Sequence, residues 1–285
     1  MEKENQKNHP LKKAGLYLLM GIAGYLFTVG MLTILQNQLL FHPSKQLVAT
    51  PDDLNLSWSE HAIETADGET LHAWYLHQPD AEFTVVFTHG NAGNISGRLD
   101  ISRTIMQAGA SVFLYDYRGY GLSSGSPSEN GLYRDADAVV DYLRTELGVK
   151  PEQTVYFGRS LGGVFAAYKA ADYGGAGLVL DSSFISLEEI AADLFPFIPS
   201  FLLRGDYATA SFVEEAGEMP LLILHSRDDE LIGYRHGQTL YERASGPKNM
   251  VTLSGGHNEN YWMSIERFAS AWEEFLSSLQ NDSPS

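Results

Sequence analysis

Hydrophobic positions along the chain fall into three regimes. In the first, from Ala14 to Leu35, the string AGLYLLMGIAGYLFTVGMLTIL runs for 22 residues without a charge. A helix rising about 1.5 Å per residue over that length crosses a hydrocarbon core of about 30 Å. The pattern predicts one transmembrane helix. A cleaved signal peptide is the rival, but it calls for an apolar region of about 7–15 residues and a small-residue cleavage site, and QNQLLFHP follows here instead. Lys3, Lys7, Lys12 and Lys13 precede the helix while only Lys45 follows closely. That bias puts the N-terminus in the cytoplasm and the large remainder on the other side of a bacterial inner membrane or an endomembrane.

The second regime is strict alternation. HAIETADGETLHAWYLH reads as two strands around an Asp67-Gly68 turn, a hairpin signal. In the third, short apolar runs at Phe83 to Thr88, Val112 to Tyr115, Thr154 to Phe157, Leu178 to Leu180, Leu221 to Leu224 and Met250 to Leu253 alternate with helix-length segments near 96–109, 129–147, 161–173, 234–245 and 260–279. Such spacing predicts an α/β fold with a mostly parallel central sheet covered on both faces. Flavodoxin-like and Rossmann folds share the rhythm, but no GxGxxG opens the first βα turn. One stretch, Ser182 to Gly217, breaks the alternation, and Pro196 and Pro199 prevent a long helix within it.

Charge and composition narrow the partners. With 19 Lys and Arg against 36 Asp and Glu the net charge is −17, which opposes nucleic acid or an anionic bilayer face and is otherwise the mark of a solvated acidic surface. The chain has no cysteine, so disulfides, thiolate catalysis and Cys-rich zinc sites are excluded.

Two G-x-S-x-G strings occur, GLSSG at 121–125 and GRSLG at 158–162. The motif needs a strand before it and a helix after it, because a serine on that tight turn is lifted above the sheet. TVYF precedes GRSLG and LGGVFAAYKAADY follows it, whereas SPSENG, which is loop chemistry, follows GLSSG. Ser160 is therefore the candidate nucleophile and Ser123 a loop residue. A serine hydroxyl needs an imidazole to take its proton and a carboxylate to orient that ring. Of the histidines after Ser160, His225 ends a strand and His236 falls in a helix, so each reads as structural or surface. His257, in SGGHNEN after the last strand, is the candidate base. The grouping of His225, Asp228, Asp229 and His236 raises a metal site, but without recurring ligand spacing. HGNAGN after the strand FTVVFT offers a backbone amide to an oxyanion, so Asn91 and Leu161 are the expected donors and His89 a stabiliser of that loop.

The strings THGNAGN, YDYRGYGLSSGSPSE, YFGRSLGG, LHSRDDELI and GGHNE, running in order from Thr88 to Glu259, resemble the Bem46-like branch of α/β-hydrolases, which includes the mammalian hydrolases numbered 13 and 17. Ser226 stands where the branch usually has Gly, and Gly233 where it often has Pro or Asp. The resemblance implies an α/β-hydrolase fold with a short cap and an acyl-transfer hydrolase needing no metal or organic cofactor. It also implies a catalytic Ser160, Asp229 and His257. The branch places its acid four residues after the strand-end histidine and two before an aliphatic pair, which is Asp229 rather than Asp228 or Asp181. The expected division is 1–44 for N-terminus, anchor and linker, and 45–285 for a catalytic domain active by itself, with the cap at about 182–217. Phe195, Phe197, Ile198, Phe201 and Leu202, from LFPFIPSFLL, are expected either to line an acyl pocket beside the membrane or to pack in the core. Substrate does not carry over from the resemblance; the leading expectation is a small-molecule or lipid acyl ester or thioester. Amide cleavage and a non-catalytic, membrane-tethered binder are the alternatives.

Overall fold

A computed structural model describes residues 9–282, with side chains over 13–281. Lys3 and Lys7, and the side chain of Lys12, on which the orientation rests, lie outside what is described. The strands in chain order are β1 His42–Pro43, β2 Trp58–Glu64, β3 Thr70–Leu76, β4 Thr84–Thr88, β5 Ala92–Gly93, β6 Ser111–Tyr115, β7 Thr154–Arg159, β8 Gly177–Asp181, β9 Leu221–Ser226 and β10 Lys248–Leu253. Eight of them form one sheet in the order β10-β9-β8-β7-β4-β6-β3-β2. From β10 through β6 every pairing is parallel, and the β2/β3 hairpin is added antiparallel at the far edge.

The helices are α1 His9–Ile34, α2 Gln36–Leu40, α3 Leu99–Gln107, α4 Glu129–Thr145, α5 Gly162–Tyr173, α6 Leu187–Leu194, α7 Thr209–Glu215, α8 Arg235–Arg243, α9 Asn260–Met263 and α10 Ile265–Asp282. Alternate strand residues feed two separate cores, as a period of two demands. Val85, Phe87, Val155 and Phe157 pack with Ile105 of α3 and Phe268 and Trp272 of α10. Val86, Tyr156, Leu178 and Leu180 pack with Val139 of α4, Val164 of α5, Val213 of α7 and Leu240 of α8.

Two features differ from the pattern in the sequence. The irregular stretch contains α6 and α7, and α7 buries Thr209, Ala210 and Val213 among the sheet-covering helices, so the cap proper closes near Tyr207 rather than at Gly217. Its first helix does stop before the prolines, with Phe195 as its C-terminal cap. The segment after α1 is more than a linker: β1 pairs in parallel with β5, His42 opposite Ala92 and Pro43 opposite Gly93. α1 itself carries one span, Lys13–Ile34, long and apolar enough to cross a membrane and almost wholly exposed.

Candidate active site

β7 ends at Arg159 and α5 begins at Gly162, leaving Ser160 at the carboxyl end of a central strand. Its φ of 52° lies in the left-handed region, a strain of about 1–3 kcal/mol for a residue with a side chain. The surroundings hold it there. Ser160 N–H donates to the Asp181 carbonyl at 2.8 Å, and its own carbonyl accepts from Gly163 N–H and Ser183 Oγ, both at 3.0 Å. The flanking glycines are steric requirements: a Cβ on Gly162 would stand 1.9 Å from the Thr88 carbonyl oxygen, and one on Gly158 2.4 Å from Gly163 Cα.

The loops after β9 and β10 bring two more side chains to this point. His257 Nε2 lies 3.1 Å from Ser160 Oγ, and its Nδ1 lies 2.8 Å from Asp229 Oδ2. The other carboxylate oxygen of Asp229 accepts the N–H groups of Leu231 at 3.0 Å and Ile232 at 2.7 Å. Burial pushes the Asp229 carboxyl up, but the hydrogen bond and charge of His257 and the Ile232 amide outweigh it and hold it below the ordinary carboxylate value. An ionised Asp229 keeps the proton on Nδ1, so the Nε2 lone pair faces the serine hydroxyl. The competing acids are engaged elsewhere. Asp228 is exposed and accepts the Gly255 N–H at 3.2 Å, while Asp181 pairs with Arg159 at 2.7 Å.

Asn91 and Leu161 line the same cavity as Ser160. Among the described residues neither backbone N–H has a partner. The Asn91 carbonyl accepts His42 N–H at 2.9 Å and Tyr120 Oη at 2.7 Å, and its side-chain amide donates to the Leu40 carbonyl at 2.9 Å. The loop is thus pinned by the segment leaving α1, which sequence reasoning had set apart as a linker. The only local signal was QNQLLFHP itself.

The remaining candidates have structural work. Ser123 is buried, its Oγ donating to the Asp116 carbonyl and accepting His72 N–H. His89 is enclosed beside Tyr117 and Tyr120 with Nδ1 2.7 Å from the Gly90 carbonyl, and burial drives it down to about 4. His225 is buried, with Nε2 donating to the Ile232 carbonyl, and His236 joins Ile185 and Asp193. His236 is thus a core residue, with no part of it at the surface.

A cavity of about 460 Å³ opens from Ser160 between the cap and the end of α1. Of the five expected pocket residues, Phe195 and Ile198 line it. Phe197 and Phe201 do not; they point outward at 51% and 82% exposure, and Leu202 is half-buried away from the cavity. Apolar composition marked the stretch but not which side of each short turn faces inward. The wall is completed by residues that sequence reasoning missed, chiefly Leu32, Leu39 and Leu40 from the end of α1 and from α2, and Ile190, Tyr207 and Ile232 from the domain. The lining holds no Asp, Glu, Lys or Arg. A second missed group stands behind the site. Arg159 Nη2 donates to the His257 carbonyl at 2.8 Å and to Asn260 Oδ1 at 2.9 Å, and Asn260 reaches back to Asp181 and Ser182.

Comparison with known proteins fits this geometry. The family model for serine aminopeptidase, S33, matches residues 79–206. The α/β hydrolase domain-containing protein WAV2 of Arabidopsis thaliana is 30% identical, over 94% of this chain and 95% of its own. The chain belongs to the α/β-hydrolase family. Other relatives include an uncharacterized membrane protein of Saccharomyces cerevisiae, YNL320W, 33% identical over 82% of this chain and 88% of its own. Escherichia coli YfhR, also uncharacterized, is 29% identical over 85% and 86%. These relatives are consistent with the Bem46-like branch of the α/β-hydrolases. Among solved structures, the Pyrococcus furiosus esterase Pf2001 superposes with a TM-score of 0.71, covering 84% of this chain and 98% of its own at 20% identity, which speaks for the fold.

Proposed function

We propose that this α/β-hydrolase is a membrane-anchored serine hydrolase that cleaves carboxylic ester or thioester bonds through an acyl-enzyme. The observation that carries this reading is the continuous chain Ser160–His257–Asp229, buried except where the serine faces a largely apolar cavity. His257 Nε2 takes the Ser160 proton as Oγ attacks the acyl carbon. The developing oxyanion is met by the Asn91 and Leu161 amides, and the imidazolium is stabilised by Asp229. His257 then returns the proton to the departing alcohol or thiol, and water, activated by the same ring, releases the acid. α1 supplies the anchor; the positive-inside bias puts the domain on the non-cytoplasmic side.

Peptide hydrolysis is the second reading, favoured by the serine aminopeptidase match. An aminopeptidase must hold a charged amino terminus, and the cavity lining offers no carboxylate. The deciding experiment is labelling with a fluorophosphonate probe followed by turnover of p-nitrophenyl esters and aminoacyl anilides. Label on wild type and none on Ser160→Ala, with esters turned over faster than anilides, supports the proposal. A folded protein that takes no label is a binder, and faster anilide cleavage makes it a peptidase.

A further inference from the structure

The end of α1 and the cap touch each other in an unusual place. Tyr25 Oη donates to the Phe197 carbonyl at 2.9 Å, and Gln36 makes a reciprocal pair with the Arg204 backbone at 2.6 and 2.9 Å. Val29, between them, is buried and Leu32 and Thr33 are half-buried, on a helix exposed elsewhere along its described side chains. Tyr25 lies ten residues before Leu35, the end of the uncharged run, so the cap tip reaches about 15 Å back along the span. That is about half of a hydrocarbon core of about 30 Å. The side chains it carries there are the outward-facing Phe197 and Phe201, with Leu194 and the exposed part of the cavity-lining Phe195 beside them, an apolar patch ill suited to water. Between this tip and α1 runs the largely apolar cavity that ends at Ser160.

We infer that the cap tip sits within the lipid and that the cavity is a portal from the bilayer, α1 being one wall of the binding site. The substrate class is then an amphiphilic ester or thioester whose long acyl chain resides in the membrane and slides between Leu32 and Ile190 until its carbonyl reaches Ser160. This deepens the serine-hydrolase reading and rests on it.

The absence of cysteine makes the depth of the tip directly measurable. In full-length protein reconstituted in phosphatidylcholine vesicles, a nitrobenzoxadiazole dye on Phe201→Cys should be quenched by nitroxide-bearing acyl chains at least twice as strongly as the same dye on Lys150→Cys, an exposed position before β7. Equal quenching overturns the inference. Separately, Leu32→Trp should lower the ratio of kcat/KM for p-nitrophenyl palmitate over p-nitrophenyl butyrate at least tenfold. If Leu32→Trp takes no fluorophosphonate label, Leu32→Ala is read instead, and a ratio moved at least threefold supports the portal. An unmoved ratio in a labelled variant sinks the portal and leaves the hydrolase standing. A wild type that takes no label and cleaves no ester sinks both.

Discussion

Arg159 and Asp181 form an ion pair of 2.7 Å with the arginine side chain 9% and the aspartate 0% exposed, directly behind the turn that carries Ser160. The guanidinium also grips the His257 carbonyl and Asn260, so one side chain ties the serine turn to the loop of the candidate base. Removing one partner of a buried pair strands the other charge, at about 3–5 kcal/mol. Arg159→Met should therefore lose about that much stability in urea denaturation, and Arg159→Met/Asp181→Leu should recover part of it. Arg159→Lys, which keeps the charge but not the fork, should lower kcat by about tenfold to a hundredfold at steady KM by loosening His257. A loss confined to KM would argue against the positioning role.

Asp229→Asn should lower turnover by about a thousandfold or more with little change in folding, because an amide stabilises the wrong imidazole tautomer. Asp228→Asn keeps an oxygen able to accept the Gly255 amide and removes only the charge of an exposed side chain, so it should cost far less. Steady-state kinetics on both, at matched thermal stability, checks the register of the acid; a more damaging Asp228→Asn would place it one residue earlier.

Gly162→Ala sets a methyl group against the Thr88 carbonyl at 1.9 Å and the His89 carbonyl at 2.6 Å, both backbone atoms that cannot swing away. Overpacking of this kind costs about 1–3 kcal/mol or more. The expected outcome is a lowered melting temperature together with slower fluorophosphonate labelling, since the displaced strand end leads into the Asn91 loop. Gly97→Ala, with open space around its Cβ, is the neutral control.

Burial lowers His89 to about 4, so its neutral form is the one folding selects. A folded value below the unfolded one of about 6.5 gives stability that is complete above that pH and is lost as pH falls toward 4. Other groups titrate in the same window. Asp135, driven up to about 6 by burial against the pull of Arg118, acts oppositely. Burial lowers His61, His225 and His236, which act with His89. The whole curve sums all of these, so the difference curve isolates His89. The urea midpoint of wild type should fall relative to that of His89→Gln between pH 6.5 and 4.5, and parallel curves would contradict the assignment.

Chains beginning at residue 36 and at residue 45 should differ. The shorter one lacks Leu40 and the His42–Pro43 strand that hold the Asn91 loop, and should label with fluorophosphonate at least several-fold more slowly at equal folded fraction. Equal labelling would return residues 36–44 to the status of a tether.

The regular part of the molecule was legible because its signals are local. Period-two alternation placed the β2/β3 hairpin, and apolar runs between helix-length segments placed the parallel strands to within a few residues. Strand and helix context separated Ser160 from Ser123, which the structure buries in a loop against Asp116. What stayed hidden depends on contacts between distant segments. The β1/β5 pair joins residues 42–43 to 92–93, too short on either side to leave a periodic trace. α7, TASFVEE, is seven residues long, too short for a clear helical period, and in the apolar stretch before it inward and outward positions look alike, so Phe197 and Phe201 were not separable from Phe195. Arg159 stood inside a motif read only for its serine and glycines.

The reciprocal bond of Gln36 with Arg204, together with the β1/β5 pair, has a bearing on how substrate is found. With α1 in a bilayer these two ties fix the height of Ser160 relative to the lipid surface, because the domain cannot rise or tilt without breaking them. If the proposed hydrolase draws its substrate from the lipid, being held at one height makes it meet that substrate by lateral diffusion in two dimensions. Its rate then follows the number of substrate molecules per unit area of membrane, and adding inert lipid to dilute them should slow it as effectively as withdrawing substrate.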